Sequence, residues 1–156
     1  MASQAAAKGT PAIVPSLVYK DPLAAVSWLE RAFGFELSMM VTGPDGKPGH
    51  IEIALGDALI YVGDDTWDDH LAFPAAIGGK NTQILSVAVA DVNAHFARAK
   101  KAGAKIAAEP EDQFYGDRVY RCFDFEGHYW TFHQKVRDIS IEDMEKASGF
   151  KIDARK

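Results

Sequence analysis

The chain has 156 residues, 47% hydrophobic and 25% charged, and 17 basic against 22 acidic side chains leave a net charge of −5. That length and balance fit one ordinary domain and exclude wholesale disorder. An acidic chain with no Lys/Arg run lacks the footprint of a nucleic-acid binder and is repelled by an anionic membrane surface.

In chain order, residues 1–11 read as a flexible leader, since one Lys and no apolar stretch make no secretory signal. No apolar run reaches the ~18 residues of a membrane span, and the expected location is cytoplasmic. Residues 12–64 read as a βαβββ module. Asp21 ends a β-rich run and suits an N-cap, with Pro22 at the first helical position. Leu23, Val26, Leu29 and Phe33 recur at helical spacing, and Gly34 stops the helix. Strands follow at Glu36–Val41, His50–Leu55 and Ala58–Val62, separated by turn residues. Residues 65–81 are a linker, flexible at Gly78-Gly79.

Residues 82–135 repeat the plan. Asp91 matches Asp21 at an offset of 70, and Val92, Phe96, Ala99 and Ala102 supply the helical face before Gly103. The strands are Lys105–Ala108, Arg118–Phe123 and His128–His133. Residues 136–156 form a C-terminal helix and tail, opened by Ser140 with Asp143 in a capping-box arrangement. The two halves make one domain overall. Cys122 is the single cysteine, so no intrachain disulfide forms, and it reads as a small buried hydrophobe.

The ordered motifs are D-x-x-A at Asp21, AFGFE at Ala32, HIEIALGDALIYVGD at His50, VADVNAHFARAKKAGA at Val89, YGDR at Tyr115 and DFEGHYWTF at Asp124. With a VRDIS-x-x-DM tail from Val136, they resemble the vicinal oxygen chelate superfamily, the glyoxalase, bleomycin-resistance and dioxygenase group, in its PhnB-like form. The resemblance spans roughly residues 12–144. It implies an α+β fold of two βαβββ modules forming a cup, plus the short C-terminal helix, and homodimerisation. It implies no single reaction, because the fold hosts many chemistries.

Alternation along His50–Leu55 puts Ile51, Ile53 and Leu55 under the helix and leaves His50 and Glu52 facing the cup. Along Arg118–Phe123 it puts Val119 and Phe123 under the helix and Arg118, Tyr120 and Cys122 in the cup. Arg121 falls on the apolar set, and marks either a sheet edge or a reversed face. His128 goes with Trp130 and Phe132 on the helix side, and His95 reads as exposed. Metalloenzymes of the superfamily hold a divalent cation at positions that fall here on Val14, Ile84, Thr131 and either Ile60 or Tyr61. None of these is a competent ligand apart from a weak hydroxyl, so no metal or other cofactor is expected.

The expected function is binding of a small organic molecule between the modules, with Tyr61, Trp67, Arg118, Tyr120, Thr131 and His133 as ligand-binding candidates. Arg118 can clamp an oxyanion or fix its own loop. An enzyme of the same superfamily is the alternative, with His50 and Glu52 as catalytic candidates in acid–base chemistry or, with His133, as a displaced metal set. A dimeric interaction module with a vestigial cleft is the third reading.

Overall fold

Local rules set the helices. In the computed structural model, which describes residue 9 and residues 11–155, Asp21 is extended and its side chain accepts from the Ala24 N–H at 3.0 Å. Helix α1 (Pro22–Phe33) starts there and ends at Gly34, in the left-handed region at φ 80°. Asp91 repeats the cap on Ala94 at 2.9 Å and starts α2 (Val92–Lys101). Ser140 caps Asp143 and starts α3 (Ile141–Ser148). Of the leader expected at residues 1–11, only Gly9 and Pro11 lie among the described residues. Among those residues no helix is long and apolar enough to cross a membrane.

The chain divides into two compact units. The first runs to Asn81 and adds Phe125–His128. Its strands are β1 (Ser16–Val18), β2 (Glu36–Thr42), β3 (Pro48–Leu55) and β4 (Ala58–Gly63), in the order β1-β4-β3-β2. β1 runs parallel to β4 and the other pairs are antiparallel. Leu17, Ile51, Ile53, Ile60 and Val62 are buried, as are Val26, Trp28, Leu29 and Phe33 of α1. Leu23, expected on that helix face, is 48% exposed, and Trp28 fills the stripe instead.

Phe125–His128 follows the strand that ends at Phe123, yet it packs in this first unit. The Glu126 carboxylate accepts from the Lys20 and Asp21 N–H groups at 2.6 and 3.0 Å, backbone donors that lead into α1. His128 is buried, its Nε2 is 2.7 Å from the Val18 carbonyl oxygen, and its ring lies 4.5 Å from that of Tyr19.

The second unit holds Thr82–Asp124 and the chain from Tyr129 onward. Its strands are β5 (Leu85–Ala88), β6 (Lys105–Asp112), β7 (Asp117–Phe123) and β8 (Tyr129–Lys135), in the order β5-β8-β7-β6. The order repeats that of the first sheet position for position. Gly116, at φ 100°, accepts from the Val136 and Arg137 N–H groups, and a Cβ there would drive into the Arg137 carbonyl oxygen. Only glycine suits that close approach in the left-handed region.

Candidate functional site

The first unit gathers three predicted residues on the sheet face away from α1. His50 and Glu52 alternate with buried Ile51 and Ile53 on β3, so both project to that face. His50 Nε2 and Glu52 Oε1 are 2.8 Å apart, and the Glu52 side chain is the better buried of the two. Tyr61 lies directly opposite Glu52 in the register. Its ring meets the His50 ring edge-on, with centroids 4.8 Å apart.

A cavity of about 460 Å³ opens at this end of the sheet, lined by His50, Tyr61, Asp64, Thr66 and Trp67 among others. No Lys or Arg lines it. Trp67 is 69% exposed, and its indole nitrogen lies beside Gly63, within ordinary contact distance of where a Cβ would sit. Asp64 accepts from the Thr66 hydroxyl and its N–H, and these bonds hold its carboxyl below the usual range. Lys47 adds a smaller attraction, and slight burial opposes the shift. Asp64, Thr66, Pro48 and Gly49 were missed in the sequence. For Asp64 and Thr66 the sequence signal is the acidic stretch Asp64-Asp65-Thr66-Trp67-Asp68-Asp69-His70, which by composition suits a solvated linker.

The second unit reverses the face expected for β7. Tyr120 and Cys122 pair with Phe132 and Trp130, and all four are buried. Tyr120, a ligand-binding candidate, is 0% exposed, and its hydroxyl is 2.6 Å from His95 Nδ1 of α2. Tyr120 is therefore withdrawn from the site. His95 is half-buried rather than exposed, with its ring 4.2 Å from that of Phe132. Polar residues reach the core here because each finds a partner: Asp124 accepts from the Trp130 indole N–H at 3.1 Å. Burial pushes the Cys122 thiol up to about 12, with the Asp124 carboxylate adding to the shift. Tyr120 is pushed above its ordinary range, chiefly by burial.

Arg121 was the warning in the sequence, and the reversed face accounts for it. Arg121 and Val119 share the side of Thr131 and His133. His133 Nδ1 lies 3.2 Å from Asp117, so the structure joins it to a residue of its own unit. Arg118 forms a two-pronged pair with Asp112 at 2.6 and 3.2 Å, which ties β7 to β6. The pair raises the Arg118 pKa and lowers that of Asp112. Arg118 thus engages its fork within the sheet, in the loop-fixing arrangement.

Register also settles the open metal-ligand position. Ser16 pairs with Tyr61 and Ser86 with Thr131, so Tyr61, not Ile60, matches Thr131. Val14 and Ile84 carry no donor atom and Tyr61 and Thr131 only a hydroxyl each, so these four residues do not supply the imidazole, carboxylate or thiolate set of a catalytic zinc-type site. Among the described residues no group of three or more His, Cys, Asp or Glu side chains is arranged to hold a metal.

Comparison with known proteins bears on the fold. The family model described as Glyoxalase/Bleomycin resistance protein/Dioxygenase superfamily matches residues 12–132. An uncharacterized protein of Mycobacterium bovis is 33% identical over 140 residues, covering 88% of this chain and 91% of its own. The solved structure of TioX from Micromonospora sp. ML1 is 32% identical, with a TM-score of 0.64 over 82% of this chain and 98% of its own. TnmS3, an antibiotic binding protein from Streptomyces sp. CB03234, has a TM-score of 0.62 at 20% identity, over 78% of this chain and 93% of its own.

Proposed function

The chain belongs to the glyoxalase/bleomycin resistance protein/dioxygenase superfamily, and from that premise we propose that it binds a small organic molecule without the superfamily's usual metal. The observation that carries this reading is the cavity of about 460 Å³ in the first unit, walled by the His50, Tyr61 and Trp67 rings. That volume lies within the range of small-molecule sites. Its one carboxylate, Asp64, and its lack of Lys or Arg favour a flat ligand bearing an amine, which the ring faces also attract. The same fold in an antibiotic binding protein supports a binding role. PhnB-like character, a cytoplasmic location and a homodimer complete the reading, and sedimentation giving only monomer removes the last.

The test is a thermal-shift and fluorescence titration with aromatic amines and their neutral analogues. Trp28 and Trp130 are buried, so a ligand-dependent emission change reports Trp67. Stabilisation by an amine, weakened about tenfold (~1.4 kcal/mol) in Trp67→Ala and Tyr61→Ala, is the expected result. Equal binding by both variants rejects this cavity.

A second reading draws on the 2.8 Å His50–Glu52 contact. Glu52 orients the imidazole, and His50 moves a proton on a molecule bound beside Tyr61. Under this reading His50→Gln keeps binding and loses turnover. Full turnover in that variant removes it.

A further inference from the structure

The two sheets can be aligned row by row through their registers. In the first, Met39, Glu52, Tyr61 and Ser16 lie side by side across β2, β3, β4 and β1. In the second, Ala108, Arg121, Thr131 and Ser86 occupy the same four places across β6, β7, β8 and β5. One position therefore holds a carboxylate in the first unit and a guanidinium in the second. Glu52 has a hydrogen-bonding partner, the His50 imidazole, at 2.8 Å. Arg121 has no ion pair or hydrogen-bonding partner among the described residues, and its cross-strand neighbours, Ala108 and Thr131, carry no charge.

From this juxtaposition we propose that the open face of the second sheet binds an oxyanion, the carboxylate or phosphate group of a small molecule, on Arg121 with the Thr131 and Ser86 hydroxyls. A long cation in mid-strand ordinarily pairs with a carboxylate across the ladder. Here the opposed side chain is a hydroxyl, and Ser86 lies beyond it in the same row. A planar fork with two hydroxyls following it in the same row, all on one side, offers donors to the two oxygens of a carboxylate or phosphate. Ala108 and Ala88 are small and leave headroom beside the fork. The face is also partly screened from water. Val119, two residues before Arg121, is 5% exposed, and Thr131 and His133 are half-buried. A charge bordered by such surfaces attracts a counter-ion more strongly than one in bulk water.

Two acidic residues share this face without neutralising Arg121. Asp117 is held by His133 and lies four residues from Arg121 along β7, more than 10 Å by strand rise. Glu111 pairs in register with Val119, one row away. The inference stands on the second unit alone, and it survives or fails independently of the cavity in the first.

The experiment is NMR titration of the ¹⁵N-labelled full chain, following the Arg121 side-chain Nε–H and the β7 and β8 amides. Benzoate, phenyl phosphate and neutral benzamide are the probes. Saturable shifts are expected with at least one anion, at a dissociation constant of about 1 mM, and none with benzamide. Benzoate against phenyl phosphate decides which oxyanion the face prefers. Arg121 is exposed, so Arg121→Gln keeps the fold, verified by its amide spectrum, and weakens binding about tenfold or more. Arg121→Lys keeps the charge without the fork and falls between the two. No saturable shift with either anion, an equal response to benzamide, or full binding by Arg121→Gln overturns the proposal.

Discussion

The two units share a strand order and differ in where they put polar groups. In the first, the buried side of β3 reads Ile51 and Ile53, and the polar residues His50 and Glu52 stay on the other face. In the second, the matching positions on β7 are Tyr120 and Cys122, both buried, with Asp124 next in line. The first core rests on apolar burial alone at these positions, and the second on groups that must each find a partner. A backbone plan therefore tolerates either core, provided every buried polar atom is paired. No buried side-chain nitrogen or oxygen among the described residues lacks a hydrogen-bond partner.

The largest effect that tests this contrast is expected from Ile53→Ala. Ile53 is fully buried, so truncation should cost about 2–5 kcal/mol through lost transfer energy and the cavity left behind. Chemical denaturation measures it, and the matching Cys122→Ala change should cost less because it removes a single sulfur atom. Equal losses would mean that the second core is as tightly apolar as the first. Next comes Asp124→Leu, which imposes the first unit's Leu55 on the second. It leaves the buried Trp130 N–H without this acceptor and should cost about 1–3 kcal/mol despite the added apolar surface. A stable Asp124→Leu protein would show that the pairing is dispensable.

The smallest effect at neutral pH, and one confined to the second unit, is alkaline sensitivity. The folded state keeps Cys122 protonated, with its pKa raised from 9.0 to about 12. As pH climbs past 9 the unfolded chain loses that proton first, so stability is intact below 9 and falls progressively between 9 and 12. Tyr120 is raised as well and adds in the same direction. Denaturation midpoints taken between neutral and alkaline pH should fall, and Cys122→Ala should flatten part of the fall. A flat profile in the parent protein would break the contrast between the cores.

Much of this was legible in the sequence, and for a local reason. Caps at Asp21, Asp91 and Ser140 act over three residues, and a glycine stop such as Gly34 acts within one turn, so no knowledge of distant contacts is needed. The duplicated plan, the strands and the shared face of His50 and Glu52 follow from the same short-range periodicities. Alternation says which residues of a strand share a face, but not which face the helix covers. On β3 hydropathy decides that question. On β7 Tyr120 and Cys122 compete with Val119 and Phe123, and hydropathy cannot rank a tyrosine whose hydroxyl has a partner.

Tertiary contacts alone decided the rest. They buried Tyr120 against His95, joined Arg118 to Asp112, and carried Phe125–His128 into the first unit, where Glu126 meets the N–H groups leading into α1. Each of these pairs residues from different elements. Spacing along the chain does not encode such meetings, and desolvation then fixes which polar groups must be paired and which stay open to a ligand.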